Sequence, residues 1–231
     1  MLPATNVRAE PGETVILLHG LGRSPWSFWR LQQVLRRDGY QVVNVAYPSR
    51  QQTIEDLSRD YLAPVIAAQS SVSRLHFVTH SLGGIMLRCY LREHPVPGLG
   101  RVVMLAPPNA GSELADRLKP NWLYRAINGP AGQQLGTDGL PRALGPWPAG
   151  AGELGIIAGD RSLNPLFSSW LPGPNDGKVM VIRARLEGMT DFITVPYSHT
   201  WLSWRGPVIA LIQTFLRTGR FIPAPARGPV A

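Results

Sequence analysis

The chain has 231 residues, 44% of them hydrophobic and 16% charged, which is enough to bury a full core and too little charge for a disordered polymer. Its formal charge of +8 is carried almost wholly by arginine, with Lys119 and Lys178 the only lysines; scattered arginines, densest at Arg36 with Arg37, exclude the clustered stripe of a nucleic-acid reader and leave only a transient contact with an anionic lipid surface. A single cysteine, Cys89, excludes an intrachain disulfide and a cysteine metal cluster.

The first twelve residues read as a loose tail without a basic, apolar leader, and no run reaches the length of a membrane helix, so one soluble, cytoplasmic domain of 1–231 is expected. "TVILL" at 14–18 is a continuous apolar run, as in a strand covered on both faces, so helices should flank it. "SPWSFWRLQQVLRRDG" then gives an N-cap at Ser24, a proline at the first helical position and a closing glycine at Gly39. Strand signals recur in "QVVNVAY", "RLHFVTH", "RVVMLAP", "ELGIIAG" and "DFITVPYS". Helical patterns fall between most of them: 53–69, capped by Thr53 and interrupted by Pro64, then 85–92, and finally 207–217. Such alternation predicts a mostly parallel sheet of six strands with helices on both faces. The segment 107–152 breaks the alternation with short helices expected near 112–118 and 122–127 and then glycine- and proline-rich loops, and is expected to form a cap over the sheet's edge. The core spans about 13–221, and 222–231 reads as a second tail.

Within "RLHFVTHSLGG" a strand pattern passes to a helical one with no loop, so Ser81 must occupy a tight, strained turn, with Gly83 and Gly84 letting the helix run close to the sheet. That turn lifts the hydroxyl to a helix N-terminus, where unpaired amides favour developing negative charge. The stretch resembles the nucleophile elbow of the α/β-hydrolase family, in the form found in small bacterial lipases and esterases, although Thr79 stands where the G-x-S-x-G pattern has its first glycine. The resemblance runs through "HGLG", "THSLGG", "NDGKV" and "SHT" over nearly the whole chain. It implies a minimal α/β-hydrolase sheet in the order 4-3-5-6-7-8 on the family's count. It also implies an oxyanion hole from the amides of Leu21 and Leu82, with His19 structural rather than catalytic.

A serine needs a base, and the base an orienting carboxylate. Of the five histidines, His76 falls inside a strand, His80 is expected to point away from the serine, and His94 ends a helix. His199, after the last strand, stands where the family carries its base. Asp160 after "LGIIAG" and Asp176 in "NDGKV" could each reach it; likeness to the family's D-G-x-V turn favours Asp176. The resemblance thus implies a Ser81, Asp176, His199 triad cleaving carboxylic esters through an acyl-enzyme, without cofactor or metal. An acyltransferase or thioesterase using the same triad, and a noncatalytic binding protein of the same fold, are the alternatives. Trp26, Phe28, Trp29, Trp122, Tyr124, Trp147, Trp201 and Trp204 are the aromatic candidates for walls of a pocket suited to apolar acyl groups.

Overall fold

All six apolar runs form strands of one sheet: β1 (Glu13–Leu18), β2 (Gln41–Val45), β3 (Arg74–His80), β4 (Leu99–Leu105), β5 (Leu154–Gly159) and β6 (Asp191–Val195). The computed structural model describes residues 9–221, so the tails expected at 1–8 and 222–231 lie outside it. The part of the first tail that is described is not loose, because the Ala9 amide donates to the Asp38 carbonyl at 2.8 Å. The strand order is β2-β1-β3-β4-β5-β6, with every neighbouring pair parallel, which is the expected 4-3-5-6-7-8 arrangement. Alternation along β1 explains its unbroken apolar run. Ile16 and Leu18 enter the core on one face, and Val15 and Leu17 enter the core on the other.

The chain turns from β1 to β2 in one direction and reaches β3 on β1's other side. The loops leaving the C-terminal ends of β1 and β3 therefore diverge and open a crevice, where parallel α/β sheets bind their ligands.

Helices cover both faces. After a 3-10 turn at Pro25–Phe28 comes α1 (Trp29–Arg37), whose Leu31 and Leu35 join α10 (Gly206–Thr218) on the second face. Ser24 starts the 3-10 turn but makes no side-chain cap, so Pro25 alone organises the entry. The segment expected at 53–69 is broken as Pro64 dictates: α2 (Ile54–Leu57), a π turn at Ser58–Leu62, and α3 (Ala63–Ala67). Proline has no amide to offer the carbonyl four residues back, and widening the helix accommodates the lost bond. The Thr53 hydroxyl caps α2 by accepting from the Asp56 amide at 3.2 Å. On the same face α4 (Leu82–Glu93) begins three residues earlier than its periodicity indicated, directly behind Ser81.

The segment 107–152 carries α5 (Glu113–Leu118), α6 (Trp122–Gln133) and α7 (Leu140–Ala143), with α6 kinked at Gly129 before Pro130. Both ends of this cap are tied to one side chain of α4. The buried Arg88 guanidinium donates to the Asn109 carbonyl (2.9 Å), the Asn109 side-chain oxygen (3.1 Å), the Pro141 carbonyl (3.0 Å) and the Gly145 carbonyl (2.6 Å). It meets no carboxylate there, and burial pushes its pKa down to about 10. Two further helices follow β5, namely α8 (Pro165–Ser169) and α9 (Val181–Ala184), which the sequence did not announce. Among the described residues no helix is long and apolar enough to cross a membrane.

Candidate active site

Ser81 joins β3 to α4 with φ 52° and ψ −117°, a left-handed conformation that costs a non-glycine residue roughly 1–3 kcal/mol and persists only where neighbours enforce it. Here they do. The Ser81 amide donates to the Leu105 carbonyl at 2.9 Å, and its own carbonyl accepts from the Gly84 amide at 3.0 Å. A methyl group on Gly83 would lie 2.4 Å from the Leu18 carbonyl oxygen, so α4 can lie this close to the end of β1 only without a side chain there. The departure at Thr79 has a local counterpart. Its side chain is fully buried under the helix, and a Cβ at Gly84 would come within 3.2 Å of the Thr79 hydroxyl. Gly84 therefore makes the room that a glycine at position 79 would have supplied.

A cavity of about 280 Å³ opens above this turn, and Ser81 and His199 both line it. The two are 118 positions apart in sequence. His199 Nδ1 lies 2.8 Å from Asp176 Oδ2, with both side chains almost fully buried, and the His199 amide donates to the Asp176 carbonyl at 3.1 Å. The other carboxylate oxygen, Oδ1, accepts from the amides of Lys178 (3.0 Å) and Val179 (2.9 Å). The D-G-K-V turn thus holds the carboxylate from behind and aims one oxygen at the ring. Asp160 is exposed at the end of β5, with no bond to His199. No hydrogen bond joins Ser81 to His199 among the described residues; such contacts are often long until substrate docks. Leu21 lines the cavity, while the Leu82 side chain is buried in the core and its backbone opens α4. With Nδ1 engaged, the far edge of the imidazole is the one able to exchange a proton with a hydroxyl.

Three further histidines are buried, and one lies where it was not expected. His80 does not turn away: it lines the cavity, its ring centroid is 4.8 Å from that of His199, and its Nε2 meets the His199 carbonyl at 2.9 Å. A carbonyl accepts only, so His80 carries its proton on Nε2. His19 stacks on Tyr47 with centroids 4.0 Å apart, and its Nδ1 donates to the Gly20 carbonyl. His76 Nδ1 accepts from the Arg101 amide at the irregularity between β3 and β4.

Burial lowers the pKa of all three, that of His80 furthest, where the nearby His199 adds to the effect. A histidine held neutral by the fold binds fewer protons than the unfolded chain once pH drops through the ordinary imidazole value. Stability from these residues is thus complete above that value and is lost as pH falls. The melting temperature should decrease steadily below about pH 6.5, each histidine contributing a slope of up to about 1.4 kcal/mol per pH unit. Thermal melts across that range check this, and a flat profile would contradict it.

The aromatic walls expected from sequence are mostly elsewhere. Tyr124 lines the cavity, but Phe28 and Trp147 are buried in the core, and Trp26, Trp29, Trp122 and Trp201 are exposed. Trp201 and Trp204 line a separate groove with Arg30 and Arg205. The apolar lining instead comes from Leu114, Leu118 and Leu135 of the cap with Phe167 of α8 and Val179. Leu114 and Leu118 are spaced one turn apart, and that repeat was the available signal; Phe167 had none, sitting in a five-residue helix of a proline-rich stretch.

The sequence profile described as the alpha/beta hydrolase family matches residues 15–228. Two rice proteins named "Probable esterase PIR7A", from Oryza sativa subsp. indica and subsp. japonica, are each 30% identical over 128 residues, covering 48% of this chain and 48% of theirs. The chain therefore spans about half the length of the curated relatives it matches. Among solved structures, the mature Bacillus licheniformis lipase BlEst2 superposes with a TM-score of 0.72 at 20% identity, covering 90% of this chain and 94% of that one. The metagenomic carboxyl esterase MGS0156 gives 0.73 at 20% identity over 84% and 67% of the two chains. At such identities the likeness is one of fold.

Proposed function

The chain belongs to the alpha/beta hydrolase family, and from that premise we propose that it is a carboxylic ester hydrolase of the esterase or lipase type, with Ser81 as nucleophile, His199 as base and Asp176 as the orienting carboxylate. The observation that carries this reading is the buried 2.8 Å contact between Asp176 and His199 on the cavity that also holds the strained serine. Names of the esterases it resembles point the same way.

In this mechanism Asp176 fixes the imidazole tautomer with the proton on Nδ1, leaving Nε2 to take the Ser81 proton. The Ser81 oxygen attacks the ester carbonyl, and the negative charge that develops is met by the amides of Leu21 and Leu82 at the start of α4. One such donor is worth on the order of 3 kcal/mol in the transition state. The tetrahedral species collapses as His199 passes its proton to the departing alcohol. Water, deprotonated by the same imidazole, then attacks the acyl-enzyme, and the acid leaves with Ser81 restored. The leucine-rich cap wall suits an apolar acyl group, and a cavity of about 280 Å³ has room for one of short or medium length. The exposed tryptophans Trp26, Trp29 and Trp201 offer a face for transient contact with a lipid surface.

A fluorophosphonate probe should modify one serine, found as Ser81 by peptide mass spectrometry, and 4-nitrophenyl esters of increasing acyl length should be hydrolysed by the unlabelled protein only. With an alcohol present as competing acceptor, free acid should remain the main product. Labelling at no serine would replace this reading with the noncatalytic one, and predominant transfer to the alcohol would replace hydrolase by acyltransferase.

A further inference from the structure

Two side chains of the cavity have no part in the mechanism above. Arg23 and Lys178 both line it beside Ser81 and His199, and none of its lining residues is an aspartate or glutamate. Neither cation takes part in an ion pair among the described residues. The Arg23 guanidinium has one hydrogen bond there, to the Thr200 carbonyl at 3.2 Å. The two are near enough to act on each other: the pKa of Lys178 is lowered first by burial and then by the charge of Arg23, and burial lowers that of Arg23. Bringing like charges together in a half-enclosed space is unfavourable; the buried Asp176 carboxylate offsets part of this for Lys178 but is itself engaged by His199, and an entering anion adds an attraction to both cations.

Their position says which part of a substrate would carry the anion. Arg23 is bonded to the residue after His199, and Lys178 is two residues from Asp176 in the turn that orients it. Both therefore stand by the imidazole, the group that hands a proton to the departing alcohol. The apolar wall of Leu114, Leu118, Leu135 and Phe167 is left for the acyl chain. Resting on the serine-hydrolase reading, we propose that the cavity selects esters with an apolar acyl group whose alcohol portion bears a carboxylate or phosphate, held by Arg23 and Lys178.

The test compares kcat/KM for 4-butyryloxybenzoate with that for its uncharged methyl ester. The native protein should favour the anionic ester by about tenfold, and raising ionic strength from about 0.05 M to about 0.5 M should shrink the preference. In the double variant Arg23→Gln, Lys178→Met the ratio should fall by about tenfold, whereas Arg23→Lys should hold it within about threefold. Lys178→Glu should drive the ratio below that of the double variant. A second pair, lysophosphatidate against monoacylglycerol, separates the sources: preference in both pairs assigns a lipid headgroup, and preference in the benzoate pair alone assigns a small soluble ester. A ratio that the double variant leaves unchanged overturns the inference even if both esters are cleaved. Failure to cleave either ester, with Ser81 unlabelled by fluorophosphonate, overturns the hydrolase reading itself.

Discussion

Ser81→Ala is expected to lower kcat for any ester substrate by a factor on the order of 10⁴ to 10⁶, with the fold intact. The hydroxyl is the only group removed, and it makes no hydrogen bond among the described residues, so no buried partner is orphaned. Alanine carries a Cβ just as serine does, and the elbow's conformation and its bonds to Leu105 and Gly84 are backbone features that survive the change. Stability should therefore shift by less than about 1 kcal/mol. Ser81→Gly sharpens the point. Glycine adopts φ 52° without penalty, so that variant should be equally inactive and about 1 kcal/mol more stable, the strain having been kept for the chemistry. Circular dichroism melts beside ester assays give both readings. Turnover surviving in Ser81→Ala at native levels would place the nucleophile elsewhere.

The second large effect is expected of Asp176→Asn, a loss of about 10⁴-fold in kcat. Its physical basis is orientation. The amides of Lys178 and Val179 both point at one oxygen of the carboxylate and will keep the asparagine carbonyl oxygen there, which turns the asparagine NH₂ toward His199 Nδ1. A donor facing Nδ1 selects the tautomer protonated on Nε2, which has no lone pair to accept the serine proton. KM should change little, because neither group binds substrate directly. Asp160→Asn, on an exposed residue without contact to the imidazole, should stay within about twofold of native activity. Steady-state kinetics on the two variants separates the carboxylates, and equal losses in both would reject Asp176 as the orienting group.

Strand positions were readable because a strand covered on both faces is apolar at nearly every residue, a demand that "TVILL" and the "VVML" of β4 come close to meeting. The elbow was readable for a related reason, since a strand pattern abutting a helical one leaves no chain for a loop. What could not be read was direction. His80 adjoins the serine in sequence, yet its ring reaches past it to the His199 carbonyl. Trp201 lies two residues from His199 and faces solvent. Spacing along a loop carries no periodicity from which a side chain's aim follows, unlike the alternation of a strand or the turn of a helix. The same limit hid α8 and α9, each too short to show a period. It also hid Lys178, whose neighbour Gly177 marks a turn without showing that the turn borders a cavity.

Arg88 has an implication for how the molecule could diversify. One guanidinium pins residues 109, 141 and 145, so both feet of the excursion between them rest on the helix that follows the nucleophile. The stretch suspended between those feet contributes Leu114, Leu118 and Leu135 to the walls and no strand to the sheet. It is also tied to the rest of the molecule between those feet: the Ala131 amide donates to the Gln52 carbonyl at 3.1 Å, the Gln134 side-chain oxygen accepts from the Ile54 amide at 2.7 Å, and the Ser112 hydroxyl donates to the Lys178 carbonyl at 2.8 Å. A different roof grafted onto the same feet would reshape the chamber and leave the elbow's own backbone bonds alone, but it would have to supply those three ties again to keep the entry to α2 and the turn around Asp176 in place.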